Sequence, residues 1–226
     1  MKKSFVLISL LTLFSCTNDN QNKVIFTEDL DTLKETTSGQ VIGFKHKNNS
    51  LAWFGIPYAE PPINDLRWRA PKPKIRETEI LKATSFADVC FQNPSFVDYS
   101  EEDGKYIGSE DCLYLNIHSP RNLTEESNLP VMLWIHGGGN TTGAGSAYDF
   151  SKLASEHEVI VVSLNYRLGP FGWFYHPSLN ETSNLKEDKS GNFGLLDQIL
   201  ALKWLKNNIK EFGGNPKNIT IFGESA

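Results

Sequence analysis

Two continuous apolar runs, Val131-Met132-Leu133-Trp134-Ile135 and Val159-Ile160-Val161-Val162-Ser163-Leu164, constrain this chain more than any other feature. A strand with one wet face alternates apolar and polar residues. An unbroken run rich in β-branched residues belongs to a strand covered on both faces, as in a sheet with helices packed on either side. The matching helix signal is present. Leu195, Leu196, Ile199, Leu202, Leu205, Ile209 and Phe212 recur at three- and four-residue steps and predict one buried stripe on a helix over 194–212. Asn192 stands at its start, and Gly213-Gly214 with Pro216 stops it. A shorter helix is expected within 148–157. Leu113–Ile117 alternates like a strand, and Ile219–Phe222 is a short strand feeding directly into Gly223. Strands alternating with helices give an α/β architecture. Upstream, from Val41, short apolar runs bounded by Gly and Pro read as strands and turns, a small antiparallel β region. The prolines of 54–62 exclude helix there.

The 226 residues carry 22 Lys+Arg against 27 Asp+Glu, a net charge of −5. No basic face is available, so nucleic acid is not an expected partner. At 39% hydrophobic residues, the chain is neither disordered, collagenous nor coiled coil.

Lys2 and Lys3 precede a ten-residue, mostly apolar run, Phe5–Phe14. That is too short for a helix crossing a hydrocarbon core, which takes about 20 residues, and predicts an export signal over 1–15. Leu13-Phe14-Ser15-Cys16 resembles the bacterial lipobox, which implies a lipid at Cys16, a polar tether over 16–37 and a place at the bacterial cell envelope. Membrane contact is then expected only through that anchor. Cleavage elsewhere would leave the protein periplasmic or secreted. With Cys16 lipidated, Cys90 and Cys112 remain as a pair, free to join in an oxidising compartment or to stay as two buried thiols. Neither has a second Cys or His at ligand spacing, so no metal is expected, and no cofactor motif is seen.

Two motifs carry chemistry. His136-Gly137-Gly138-Gly139 directly follows the 131–135 strand. Three glycines let a backbone run close to a ligand with its N–H groups turned inward, where they can hold a developing oxyanion. A phosphate loop is the other use of such a stretch, but no Gly-Lys-Ser/Thr follows. The second motif is Gly223-Glu224-Ser225-Ala226 after a short apolar strand, four of the five positions of G-x-S-x-G. A serine hydroxyl is a weak nucleophile that needs a sharp strand-to-helix turn and an adjacent base.

In this order the two motifs, with Phe54-Gly55-Ile56-Pro57-Tyr58-Ala59-Glu60-Pro61-Pro62, Leu66-Arg67-Trp68, Ser109–Asn116, Asn165–Gly169 and Gly191–Gln198, resemble the N-terminal portion of type-B carboxylesterases. The resemblance covers about 38–226. It implies an α/β-hydrolase fold, incomplete at the nucleophile turn, with no cofactor and a small-molecule carboxylic ester as substrate. By the same resemblance Ser225 is the acyl-forming nucleophile, and the amides of Gly138, Gly139 and Ala226 are the oxyanion donors. Cys90–Cys112 looks like the family's first disulfide, and Arg67–Glu110 like its buried ion pair, structural in role. Trp53, Trp68, Trp134 and Trp204 read as core or gorge wall. Asn64 stands where the family usually has Gly. The segment between the cysteines lacks the Trp that binds quaternary ammonium in cholinesterases, so choline esters are not expected substrates.

The family order is Ser, then Asp or Glu, then His. All five histidines here precede Ser225. The expectation is a truncated product without esterase turnover, prone to aggregate along an uncovered sheet. Two other readings stand beside ester hydrolysis: a non-catalytic binding member of the fold, and an amide or thioester hydrolase using the same groups.

Overall fold

The computed structural model describes residues 24–93, 106–124 and 126–225. The export signal, Cys16, the first part of the tether and Ala226 lie outside the described residues. The elements run β1 (Lys34–Thr36), β2 (Gly39–Ile42), β3 (Phe44–His46), β4 (Ser50–Pro57), β5 (Leu81–Lys82), β6 (Tyr114–Pro120), β7 (Leu129–Ile135), α1 (Ser151–His157), β8 (Ile160–Leu164), α2 (Gly169–Gly172), α3 (Pro177–Glu181), α4 (Phe193–Asn208) and β9 (Gly214–Gly223).

β1, β2 and β5 make a small three-stranded sheet. The main sheet has the order β3-β4-β6-β8-β7-β9. Its first four strands pair antiparallel, whereas β8, β7 and β9 are mutually parallel. β3, β4 and β6 therefore belong to the same sheet as the two apolar runs, whereas the small sheet pairs β1 with β2 antiparallel and β2 with β5 parallel. β8 is buried along its whole length, as its unbroken apolar run predicts. Ile160, Val162 and Leu164 pack with Ala201, Trp204 and Leu205 of α4. Val161 turns to the opposite face, beside Ala154 of α1 and Phe150. Each large side chain so buried contributes about 1.5–3 kcal/mol.

α4 forms close to the expected place, then tightens into a 3-10 turn over Ile209–Phe212 that Gly213 closes by donating to the carbonyls of Ile209 and Lys210. Its buried face differs from the expected stripe. Leu195 and Ile199 point outward and are 49% and 41% exposed. The inward set is Phe193, Asp197, Ala201, Trp204, Leu205 and Asn208. Apolar spacing missed it because two of its members are polar and are accepted inside only by having partners: Arg167 for Asp197 and Thr37 for Asn208.

Cys90 and Cys112 are joined by a disulfide. Trp53, Trp134 and Trp204 are buried, whereas Trp68 is only partly covered and donates its indole N–H to the Pro170 carbonyl. Asn64 occupies the left-handed region at φ 51°, a conformation that Asn tolerates better than most other side chains. Arg67 and Glu110 do pair, in a two-point contact, but the pair is not buried: the side chains are 38% and 22% exposed. Both sit on loops, where the pair is partly exposed and keeps some contact with solvent.

Candidate active site

β7 and β9 lie side by side and parallel, with Ile135 opposite Gly223. Both chains therefore leave the sheet at the same edge, and the residues that follow them meet. Gly137 packs directly on the last turn: a Cβ there would lie 2.3 Å from the Glu224 carbonyl oxygen and 2.9 Å from Ser225 Cβ. Any other residue would push the two segments apart. Ser225 has φ 63°, a left-handed conformation costly for a non-glycine residue. Such backbone strain is what a sharp strand-to-helix serine turn imposes.

The glycine loop is set by its own geometry. Gly138 has φ 111°, and its carbonyl accepts from the amides of Thr141 and Thr142. The turn leaves the N–H groups of Gly138 and Gly139 without a partner among the described residues. Ser225 Oγ likewise has none. Trp134, Thr142, Ala147 and Tyr148 complete the wall of an open pocket of about 210 Å³ over Ser225. The arrangement can hold a carbonyl against Ser225 with amide donors on one side. Ala226, the third expected donor, lies outside the described residues.

His136 props this loop from beneath. Its ring stacks on Tyr166 at 4.3 Å, and Nδ1 donates to the Gly137 carbonyl at 2.9 Å. The Tyr166 hydroxyl donates to the His136 carbonyl at 2.5 Å. Burial drives the His136 pKa down to about 4, against a smaller upward pull from the Gly137 hydrogen bond, so the ring is neutral near pH 7. Burial likewise lifts Tyr166 to about 12 and keeps its hydroxyl a donor. Gln92 clamps the loop's far end. Its side-chain oxygen accepts from the Gly143 amide at 2.7 Å and its nitrogen donates to the Gly143 carbonyl at 2.9 Å.

Further back, Arg167 and Asp197 form a fully enclosed pair, 3% and 0% exposed. The Asp197 carboxylate accepts from Arg167 Nε, Nη2 and backbone N, while Arg167 Nη1 reaches the Arg69 carbonyl. Arg167 also lies over the Phe193 ring at 5.3 Å. Sequence reasoning did not foresee Gln92, Tyr166 or this pair. The halves of the pair sit in the stretches Asn165–Gly169 and Gly191–Gln198, and their co-occurrence was the available signal.

The five histidines are dispersed. His136 lies under the loop, His46 and His118 face Asp149, His157 ends α1, and His176 caps α3 by accepting from the Ser178 amide. Among the described residues none hydrogen-bonds Ser225.

An α/β sheet that brings a Gly-rich loop against a strained serine at one strand edge defines the hydrolase class of this fold. The carboxylesterase family model matches residues 31–226, and the chain belongs to that family. The chain is 48% identical over 193 residues to the para-nitrobenzyl esterase of Bacillus subtilis (strain 168), aligning 84% of this chain with 37% of that protein. Fumonisin B1 esterase of Sphingopyxis macrogoltabida is 44% identical over 202 residues, 88% of this chain and 36% of that protein. A solved thermophilic para-nitrobenzyl esterase superposes with a TM-score of 0.75 at 46% identity, covering 86% of this chain and 38% of that one. The fold is therefore the corresponding part of an α/β hydrolase. The chain spans a little over a third of the length of the curated relatives it matches.

Proposed function

We propose that residues 38–226 belong to a carboxylic-ester hydrolase in which Ser225 is the nucleophile. The observation that carries this reading is the contact of Gly137 with the Glu224–Ser225 turn, which sets an exposed serine beside the unpartnered amides of Gly138 and Gly139. Ser225 Oγ attacks the ester carbonyl while a base takes its proton. The oxyanion is held by the Gly138 and Gly139 amides together with that of Ala226. The alcohol departs with a proton, and water then cleaves the acyl-serine. The names of these relatives, esterases in each case, support this substrate class.

None of the chain's own histidines is positioned to serve as that base. We therefore read the 226 residues alone as unable to turn over esters. We further read the mature protein as tethered through a lipid on Cys16 at the bacterial cell envelope, on the strength of the Lys2–Cys16 pattern. An amide or thioester hydrolase would use the same groups, and assays with matched ester, amide and thioester substrates separate the three.

The deciding experiment is labelling of the full-length gene product with a fluorophosphonate probe, beside p-nitrophenyl acetate hydrolysis. Adduct on Ser225 and loss of both signals in Ser225→Ala are expected. Undiminished labelling or hydrolysis in Ser225→Ala overturns the assignment, as does failure of the intact protein to label, which would favour a non-catalytic binding member. Ser225-dependent hydrolysis by the 226-residue chain would overturn the reading of that chain as inactive.

A further inference from the structure

Away from Ser225, three residues from separate elements converge. His46 ends the edge strand β3, His118 lies within β6, and Asp149 precedes α1. Asp149 Oδ1 is 3.7 Å from His46 Nε2 and 3.6 Å from His118 Nε2, and one ligand atom from each residue lies within 4.8 Å of the other two. These separations are too long for hydrogen bonds. His118 is 1% exposed, and neither of its ring nitrogens has a hydrogen-bond partner among the described residues. A buried polar group left this way is uncommon in folded proteins and calls for an occupant.

The rings are held in place by their surroundings. His46 meets the rings of Phe26, Phe44 and Phe54, and His118 those of Phe54 and Phe150. The carboxylate is aimed by the Ser151 amide, which donates to Oδ1 at 2.8 Å and leaves that oxygen a second lone pair. Oδ2 is taken by Lys47 Nζ at 2.5 Å, whose side chain is 63% exposed and can turn into solvent.

From this geometry we propose that His46, His118 and Asp149 form a binding site for a divalent transition metal of the zinc class. Two imidazoles and one carboxylate suit zinc, whereas magnesium and calcium prefer all-oxygen sets. A tetrahedral zinc ion with bonds of about 2.0–2.1 Å sets its ligand atoms roughly 3.4 Å apart, close to the two separations found here. Asp149 is 35% exposed, and a water would complete the coordination. The ion would satisfy His118 Nε2 and tie β3 and β6 to the segment leading into α1. Its role is structural, and it is independent of Ser225.

The test uses the full-length protein, stripped with a chelator and titrated with ZnCl₂ by calorimetry, and with CoCl₂ in visible absorption. Expected are one ion per chain, a rise in Tm that chelator reverses, and the intense d–d absorption of four-coordinate cobalt. His46→Gln and Asp149→Asn, both away from the deepest core, should weaken zinc at least about tenfold, the scale on which changes to a metal's supporting groups are felt. The proposal is overturned if zinc neither binds nor raises Tm, if cobalt shows only the weak six-coordinate spectrum, or if both folded variants bind as tightly as the parent. Should a variant not fold, the cobalt spectrum of the parent decides.

Discussion

Two arginine–carboxylate pairs with the same two-point geometry sit in opposite environments. Arg167–Asp197 lies inside, with each guanidinium nitrogen and both carboxylate oxygens hydrogen-bonded. Arg67–Glu110 is only partly covered, with its side chains 38% and 22% exposed to water. The shape of the contact is shared, yet its energetic weight is not. In water, charges already have good partners, so joining them gains little. In the interior the loss of one partner strands the other.

The strongest way to break this contrast is Asp197→Asn. It leaves the Arg167 guanidinium enclosed without its countercharge and is expected to cost about 3–5 kcal/mol, read by chemical denaturation; a near-neutral result would mean that the interior pair carries no more weight than the outer one. Replacing Cys90 and Cys112 together by Ser comes next. The bridge closes a separation of 22 residues, and in the chain-entropy model its loss costs about 3 kcal/mol, so the crosslink, not the neighbouring Arg67–Glu110 contact, is expected to hold that corner.

A third test adds pH. His136 is depressed to about 4 in the fold, below the ordinary value of 6.5. As pH falls, the unfolded chain takes up this proton first. The His136 contribution is therefore intact above about pH 6.5 and is lost between 6.5 and about 4, with a slope of about 1.4 kcal/mol per pH unit. His136→Gln should flatten the stability profile by one proton in that window. A wild-type and variant slope that coincide would mean the ring is not buried neutral. The smallest effect is reserved for Glu110→Gln, expected to shift the denaturation midpoint by a minor fraction of what Asp197→Asn does. An equal shift would erase the distinction between the two pairs.

The same contrast explains what could be read from sequence. The runs 131–135 and 159–164 gave β7 and β8 because apolar continuity is a local signature of two-sided burial. The glycine loop and Ser225 were legible because short motifs with strict backbone demands are local too. The inward face of α4 was not, since Asp197 and Asn208 look like solvent residues until Arg167 and Thr37 are brought to them from distant segments. For the same reason His46, His118 and Asp149 gave no sign of one another: each sits alone in its stretch, and only the β3-β4-β6 pairing with the approach to α1 unites them. The expected interior location of Arg67–Glu110 failed because pairing can be inferred from motif resemblance, whereas depth depends on everything else that packs nearby.

Gln92 stands two residues from Cys90 and grips both the N–H and C=O of Gly143. The covalent staple and the glycine loop are thus joined through one amide side chain. A change at the sulfur end would therefore have a short route, through that side chain, to the glycine loop beside Ser225.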